Sequence, residues 1–228
     1  MPFFNSSEPI LRFKQETLDF QDQVGLWQIH WQWGDRTISR FYTRIDQIFL
    51  LWGMITALIF GVAQFCQITW TTQALVWTGL TLLGVLGMGL LAWFWVSVER
   101  LRWLIYSWAG LMILGILYTD LCILAGQWQL SPYLCSVWLG LSALGYLLMG
   151  WGMRSRTFLL TAGFHLSAIP LLPYTGHWQF IMTGLVIAGC LLFLSEVQWD
   201  MRPPIEFAVL TVEQRQFNHT QQQKRRIG

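Results

Sequence analysis

Between about residue 47 and residue 196 the chain runs in long apolar blocks with hardly a charge inside them. A helix needs about twenty apolar residues to cross roughly 30 Å of hydrocarbon. The blocks 47–66, 74–97, 103–125, 132–152, 157–174 and 178–196 approach that length. They lack the period-two alternation of a membrane barrel. They are therefore predicted as six transmembrane helices, the form that satisfies every backbone group internally. The fifth, "FLLTAGFHLSAIPLLPY", is short, carries a histidine and ends near Pro170 and Pro173. Were it only re-entrant, the carboxyl end would change sides.

Outside the blocks the period changes. In "LWQIHWQW" the apolar Trp27, Ile29, Trp31 and Trp33 alternate with Gln28, His30 and Gln32. Alternation of this kind predicts a strand over 24–33 with one aromatic face. Gly34 and Asp35 read as a turn, and the weakly alternating "LRFKQETLDF" upstream is the hairpin partner. A ligand-binding aromatic cage is the sharper alternative, but a cage needs converging faces and one strand offers one. In "RTISRFYTRID", Arg36, Arg40 and Arg44 recur every four residues opposite Ile38, Phe41, Tyr42 and Ile45. That predicts an amphipathic helix over 36–46. It either lies on the membrane with its arginines at anionic headgroups or extends the first span. Beyond the last block, 205–212 is β-like and the polar end reads as disordered. The expected architecture is an all-α polytopic membrane protein: six helices in three hairpins, with a small cytoplasmic β-element from the two tails. Its parts are an N-terminal segment 1–46, a membrane domain 47–196 and a tail 197–228.

Composition agrees. Only 11% of the 228 residues are charged, against about a quarter in soluble domains, and mean hydropathy is +0.45. Fifteen tryptophans suit the membrane–water boundary. The opening residues lack a signal-peptide pattern, so the first helix is expected to direct insertion. Every lysine and arginine falls before the first block, between the second and third, between the fourth and fifth, or after the sixth. The connections "QITWTTQ", "GQWQLSP" and "YTGHWQ" hold none. By the positive-inside rule, both termini are cytoplasmic. A bacterial plasma membrane or a thylakoid membrane fits. "KRR" near the end is too short to imply nucleic acid.

Each uncharged connection carries one tryptophan, Trp70, Trp128 or Trp178, as an interfacial anchor. Small residues at Gly84, Gly87, Gly89, Gly61, Gly163 and Gly184 suggest close helix packing.

Ionisable groups inside a membrane are costly and point to function. His165 lies mid-span and Asp120 late in the third block. Their depths differ by roughly 13 Å at 1.5 Å per residue, so a dyad is not expected. His165 reads as a structural hydrogen bonder, as an axial ligand to haem or chlorophyll, or as a relay. Asp120 is level with His177, Tyr118 and Tyr174, a possible polar pathway. Trp27, Trp31, Trp33, Arg36, Arg40 and Arg44 are the expected membrane-surface contacts. Cys122 and Cys135 face each other across a short connection and could form a disulfide; otherwise they are small packing residues. No catalytic or metal-binding motif is visible. The functional classes left are an accessory, scaffold or assembly protein acting with other membrane proteins or with itself, a small-solute transporter or channel, and a pigment or haem binder.

Overall fold

A computed structural model of the chain describes residues 3–4, 9–33, 36–202 and 209–227. Long apolar helices dominate it: α2 Arg44–Phe65, α3 Trp70–Val98, α4 Arg102–Ile123, α5 Leu134–Met153, α6 Arg156–Ala168 and α7 Gln179–Glu196. Five helical runs are long and apolar enough to cross a membrane, and the last, Arg156–Glu196, takes in both α6 and α7. That run is not straight. A 3₁₀ stretch, Ile169–Trp178, joins its halves, and Gly176 leaves the helical region there with φ 56° and ψ −122°. The chain folds back at this point, because the run's first turn at Thr157 is hydrogen-bonded to Asp200, just past its end, at 2.8 Å.

Helices α2, α3, α4, α5 and α7 pack neighbour to neighbour into a closed ring, and α6 lies outside it against α5. Tight seats for aromatic rings set the spacing. The segments "WTGLTLLG" (77–84), "WAGLMILG" (108–115) and "WLGLSALG" (138–145) repeat one pattern in α3, α4 and α5. The last glycine of each receives an indole: Trp52 at Gly84, Trp138 at Gly115 and Trp108 at Gly145. A Cβ on Gly115 would meet the Trp138 ring at 2.5 Å, and one on Gly145 would meet Trp108 at 2.4 Å. Helices α4 and α5 thus exchange tryptophans reciprocally. Gly87 and Gly184 likewise seat Leu51 and Phe60, whereas Gly61, Gly89 and Gly163 face open space.

Both tails gather at the end of the bundle where α2 begins and α3 and α7 finish, here called the tail end. Strand β1 (Leu11–Phe13) pairs antiparallel with β4 (Val197–Trp199), and β2 (Trp27–Trp33) with β3 (Arg36–Tyr42). The short helix α1 (Phe20–Gln23) meets the C-terminal helix α8 (Val212–Ile227).

Three expectations are corrected here. Arg36–Tyr42 is a strand rather than the start of an amphipathic helix over 36–46. Its Thr37, Ile38, Phe41 and Tyr42 favour extended backbone, and pairing with 27–33 satisfies the ladder. Helix α2 starts only after Thr43, whose side chain and that of Asp46 form a reciprocal capping box. The partner of 27–33 therefore lies downstream, and "LRFKQETLDF" contributes β1 and α1 instead. The tail end of the sequence is helical from Val212, not disordered, because α1 gives it a polar surface to dock on. Of the β-like 205–212, residues 205–208 lie outside the described residues, and Val212 begins α8.

Candidate functional site

Two features stand out: a chamber inside the helix ring and a polar cap at the tail end. The chamber, about 120 Å³, runs between α2, α3, α4, α5 and α7 from Ile45 and Trp95 at the tail end to Ala63 and Leu134 at the other. Among the described residues, no charged one lines it. Its few polar side chains include Ser142 and Tyr146, one turn apart on α5. The Tyr146 hydroxyl is buried and has no hydrogen-bond partner, a state that costs about 1–3 kcal/mol. Trp108 meets the Tyr146 ring edge-on at 5.5 Å, and Phe158 stacks parallel to it at 6.2 Å.

His165 sits behind Tyr146, wholly buried, with ring centroids 5.0 Å apart. Its Nδ1 is 2.8 Å from the Thr161 carbonyl oxygen. A carbonyl can only accept, so Nδ1 carries the proton and a neutral ring leaves Nε2 as a bare acceptor. Nε2 too is buried without a partner. A lone pair on Nε2 suits a metal, but the surroundings do not fit a macrocycle. The ring is enclosed on α6, outside the chamber lining, and cofactor-sized sites need about 300–1,000 Å³. Haem and chlorophyll do not fit at His165.

The other expected polar residues stand apart. Thr78 donates to Asp120 at 3.2 Å, and Tyr118 donates to the Leu130 carbonyl at 2.9 Å. The His177 carbonyl accepts from Gln64, and Tyr174 is 87% exposed. Among the described residues, no hydrogen bond or ion pair joins them into a path toward His165. All four cysteines are free. Cys122 packs with Ala74 and Trp77, whereas Cys135 belongs to the main core.

The cap is built from polar groups of both tails and of the adjoining helix ends. Asp200, 2% exposed, accepts from the Ser155 hydroxyl, the Arg156 and Thr157 amides, the Arg156 guanidinium and the Thr157 hydroxyl at 2.8–3.0 Å. Burial pushes its carboxyl up, but these hydrogen bonds outweigh burial and hold it below the usual carboxylate range. The Ile10 carbonyl accepts from the Asp200 amide at 3.1 Å and lies 2.7 Å from the Thr157 hydroxyl. One carboxylate therefore ties α6, β4 and the N-terminal tail.

Across the cap, Asn218 of α8 binds Gln21 at 3.0 Å and the Phe20 amide at 2.6 Å, and Arg225 pairs with Asp19. Gln21 in turn donates to Glu99 at 3.1 Å, and the Trp95 indole donates to Asp22 at 2.8 Å. Loss of water, then the Asp19 charge, pushes Asp22 up to about 7. Burial, then the Asp22 charge, does the same to Glu99, also to about 7, although Arg202 lies 3.7 Å away.

The β2–β3 hairpin is bolted at its open end. Tyr42 and Arg40 reach Glu196 at 2.7 and 3.1 Å, and Lys14 bridges Asp46 and the Phe41 carbonyl. Along the hairpin Trp27 and Trp31 stay 57% and 65% exposed. Arg44 donates to Gln47 and packs over Gly25. Trp33 and Arg36 are ladder partners; their side chains lie outside the described part. No protein-family model matches the chain, and no curated protein or solved structure matches it either.

Proposed function

We propose that the chain is a six-pass membrane protein in three helical hairpins, with both termini cytoplasmic, that acts as an accessory or assembly protein for other membrane proteins. Its tail domains, 1–46 and 197–228, form one cytoplasmic cap on the membrane domain 47–196. The fold-back at Gly176 supports the sixth passage. Helix α6 covers roughly 20 Å, and the 3₁₀ residues up to Thr175 add roughly 14 Å at about 2 Å each. Together they reach the roughly 30 Å of a bilayer core. The exclusive placement of lysine and arginine before, between and after alternate blocks supports the orientation.

The observation that carries the accessory role is the hairpin. It is tied to Glu196 and, through Lys14, to Asp46, yet leaves Trp27, Ile29 and Trp31 exposed on one side of β2. A fixed, exposed aromatic surface marks a contact site. Arg40, cross-strand from Ile29, is ion-paired with Glu196 at the α7 terminus, which holds this surface at the level of the lipid boundary, beside a membrane-embedded partner. Transport and pigment binding lack a comparable observation: Asp120 and His165 are separately engaged, and the chamber carries no charge.

A photo-reactive residue at Trp31 tests this. In membranes it is expected to cross-link a discrete membrane protein, and the pair Trp27→Ser and Trp31→Ser to lose that partner while the helices stay folded. Cross-links to lipid alone would refute the accessory role. For the orientation, an impermeant maleimide applied outside intact cells is expected to label the exposed Cys66 but not Gln223→Cys. The reverse pattern would invert the topology.

A further inference from the structure

We infer that the pocket between the N-terminal tail and the last turns of α3 binds one anionic phospholipid of the surrounding leaflet, with its phosphate on Arg44 and an acyl chain along α3. This rests on the membrane reading above, but on neither the accessory role nor the orientation. The pocket is separate from the chamber inside the ring. It encloses about 340 Å³ and is lined by Gln21, Val24 and Arg44 together with Leu90, Leu91 and Phe94 of α3. Sites for small molecules begin at about 300 Å³.

The pocket lies at headgroup level. Helix α3 has 29 residues and is roughly 43 Å long at 1.5 Å each, against roughly 30 Å of hydrocarbon. With the excess shared between its two ends, the hydrocarbon edge falls roughly four residues before Val98, beside Trp93 and Phe94. Trp93 is 46% exposed, and an exposed indole is the side chain that favours that edge.

Arg44 is positioned there and uncommitted. The Gln47 amide donates to the Gly25 carbonyl at 2.8 Å and to the Tyr42 carbonyl at 3.1 Å. Its own oxygen is left to accept from the Arg44 guanidinium at 3.3 Å. That bond uses one of five guanidinium donors. Among the described residues, no carboxylate pairs with Arg44. Asp46 is taken by Lys14, Asp22 by the Trp95 indole, Glu99 by Gln21 and Glu196 by Arg40. A guanidinium with free donors matches phosphate oxygens in pairs.

The acyl chain has a track. Leu83, Leu86 and Leu90 share one face of α3 and are 64%, 63% and 84% exposed. They lead from the pocket into the hydrocarbon over roughly 10 Å. A free phosphate ion would use Arg44 but not this track.

Native mass spectrometry tests the site on the full chain, delipidated in detergent. The chain is titrated with phosphatidylglycerol and, separately, with phosphatidylcholine of the same acyl chains. One phosphatidylglycerol is expected to bind per chain, about 5-fold tighter than phosphatidylcholine, the worth of one basic side chain at a lipid surface. Arg44→Gln is expected to erase that preference, and Arg44→Lys, which keeps the charge, to retain it. Val24→Glu sets a carboxylate in the pocket from a position 38% exposed and is expected to erase it without touching Arg44. Arg154→Gln, at the same end but outside the pocket, is expected to leave it unchanged. Equal affinity for the two lipids, a preference that survives Arg44→Gln or Val24→Glu, or an equal loss in Arg154→Gln overturns the proposal. Displacement of the lipid by millimolar inorganic phosphate overturns it too, by making this a free-anion site. A missing protein cross-link at Trp31 or an inverted maleimide pattern leaves these results standing, since either leaflet supplies the lipid.

Discussion

The indole N–H of Trp95 donates to the Asp22 carboxyl at 2.8 Å. Trp95 is also part of the chamber wall. The N-terminal tail is therefore fastened to a side chain that lines the chamber at the tail end.

Proton concentration acts on this fastening. Asp22 and Glu99 are held up to about 7 in the docked cap, while undocked they titrate near 4. A raised carboxyl binds its proton more tightly when docked. Docking is therefore strongest below about pH 4 and weakens as pH rises through 7. The groups facing the pair are Asp19, Asp46, Arg202 and Arg225, together with Gln21 and Trp95. Hydrogen exchange of the α8 amides, corrected for intrinsic rate, is expected to accelerate between pH 5 and 8. Asp22→Asn is expected to flatten that rise.

Asp200 behaves in the opposite sense. Its carboxyl is held below the usual range, so its contribution is complete above about pH 4 and is lost as pH falls through the depressed value. Asp200→Ala removes the buried acceptor of two helix amides and of the Ser155 and Thr157 hydroxyls, and one partner of Arg156. It is expected to cost about 3 kcal/mol or more, as for a broken buried pair. Thermal unfolding in detergent measures the loss, and protease cleavage near residues 10–16 is expected to appear with it.

The glycine seats give a contrast within one helix. Gly115→Val places a branched side chain in the plane of the Trp138 ring, which Thr119 holds in place. Overpacking of this kind is expected to cost about 1–3 kcal/mol. Gly110→Ala, with open space around it, is expected to be neutral or stabilising by up to about 1 kcal/mol. Melting temperatures of the two variants side by side check the assignment.

Gly25 has φ +70°, and a Cβ there would strike the Arg44 guanidinium. Gly25→Ala is expected to cost about 1–2 kcal/mol from the backbone alone. It should free the hairpin, which increased exchange of the 27–33 amides would record.

Much of this was legible in the sequence, and the misreadings have physical causes. The apolar blocks declare themselves because lipid tolerates little else. The period-two run at 27–33 was read as a strand for the same reason that it is one. The arginines at 36, 40 and 44 misled because a spacing of four keeps residues on one face of a helix and of a strand alike. The three-residue pairing of β1 with β4 is too short to leave a pattern. The repeated tryptophan–glycine segments were readable, but their meaning required knowing which helices face each other. His165 announced its burial, whereas the orphaned Tyr146 hydroxyl and the raised carboxyls of Asp22 and Glu99 arise only when distant segments strip water from them.

The Asp200 knot also imposes an order on biogenesis. It joins Ile10, made first, to a carboxylate that leaves the ribosome about 190 residues later, at an elongation rate of about 5–20 residues per second. For some 10–40 s the nascent N-terminal tail has no β4 to pair with and no acceptor at the start of α6. The Asp200 knot therefore closes late, and its closure reports that every segment between Ile10 and Asp200 has already been synthesised.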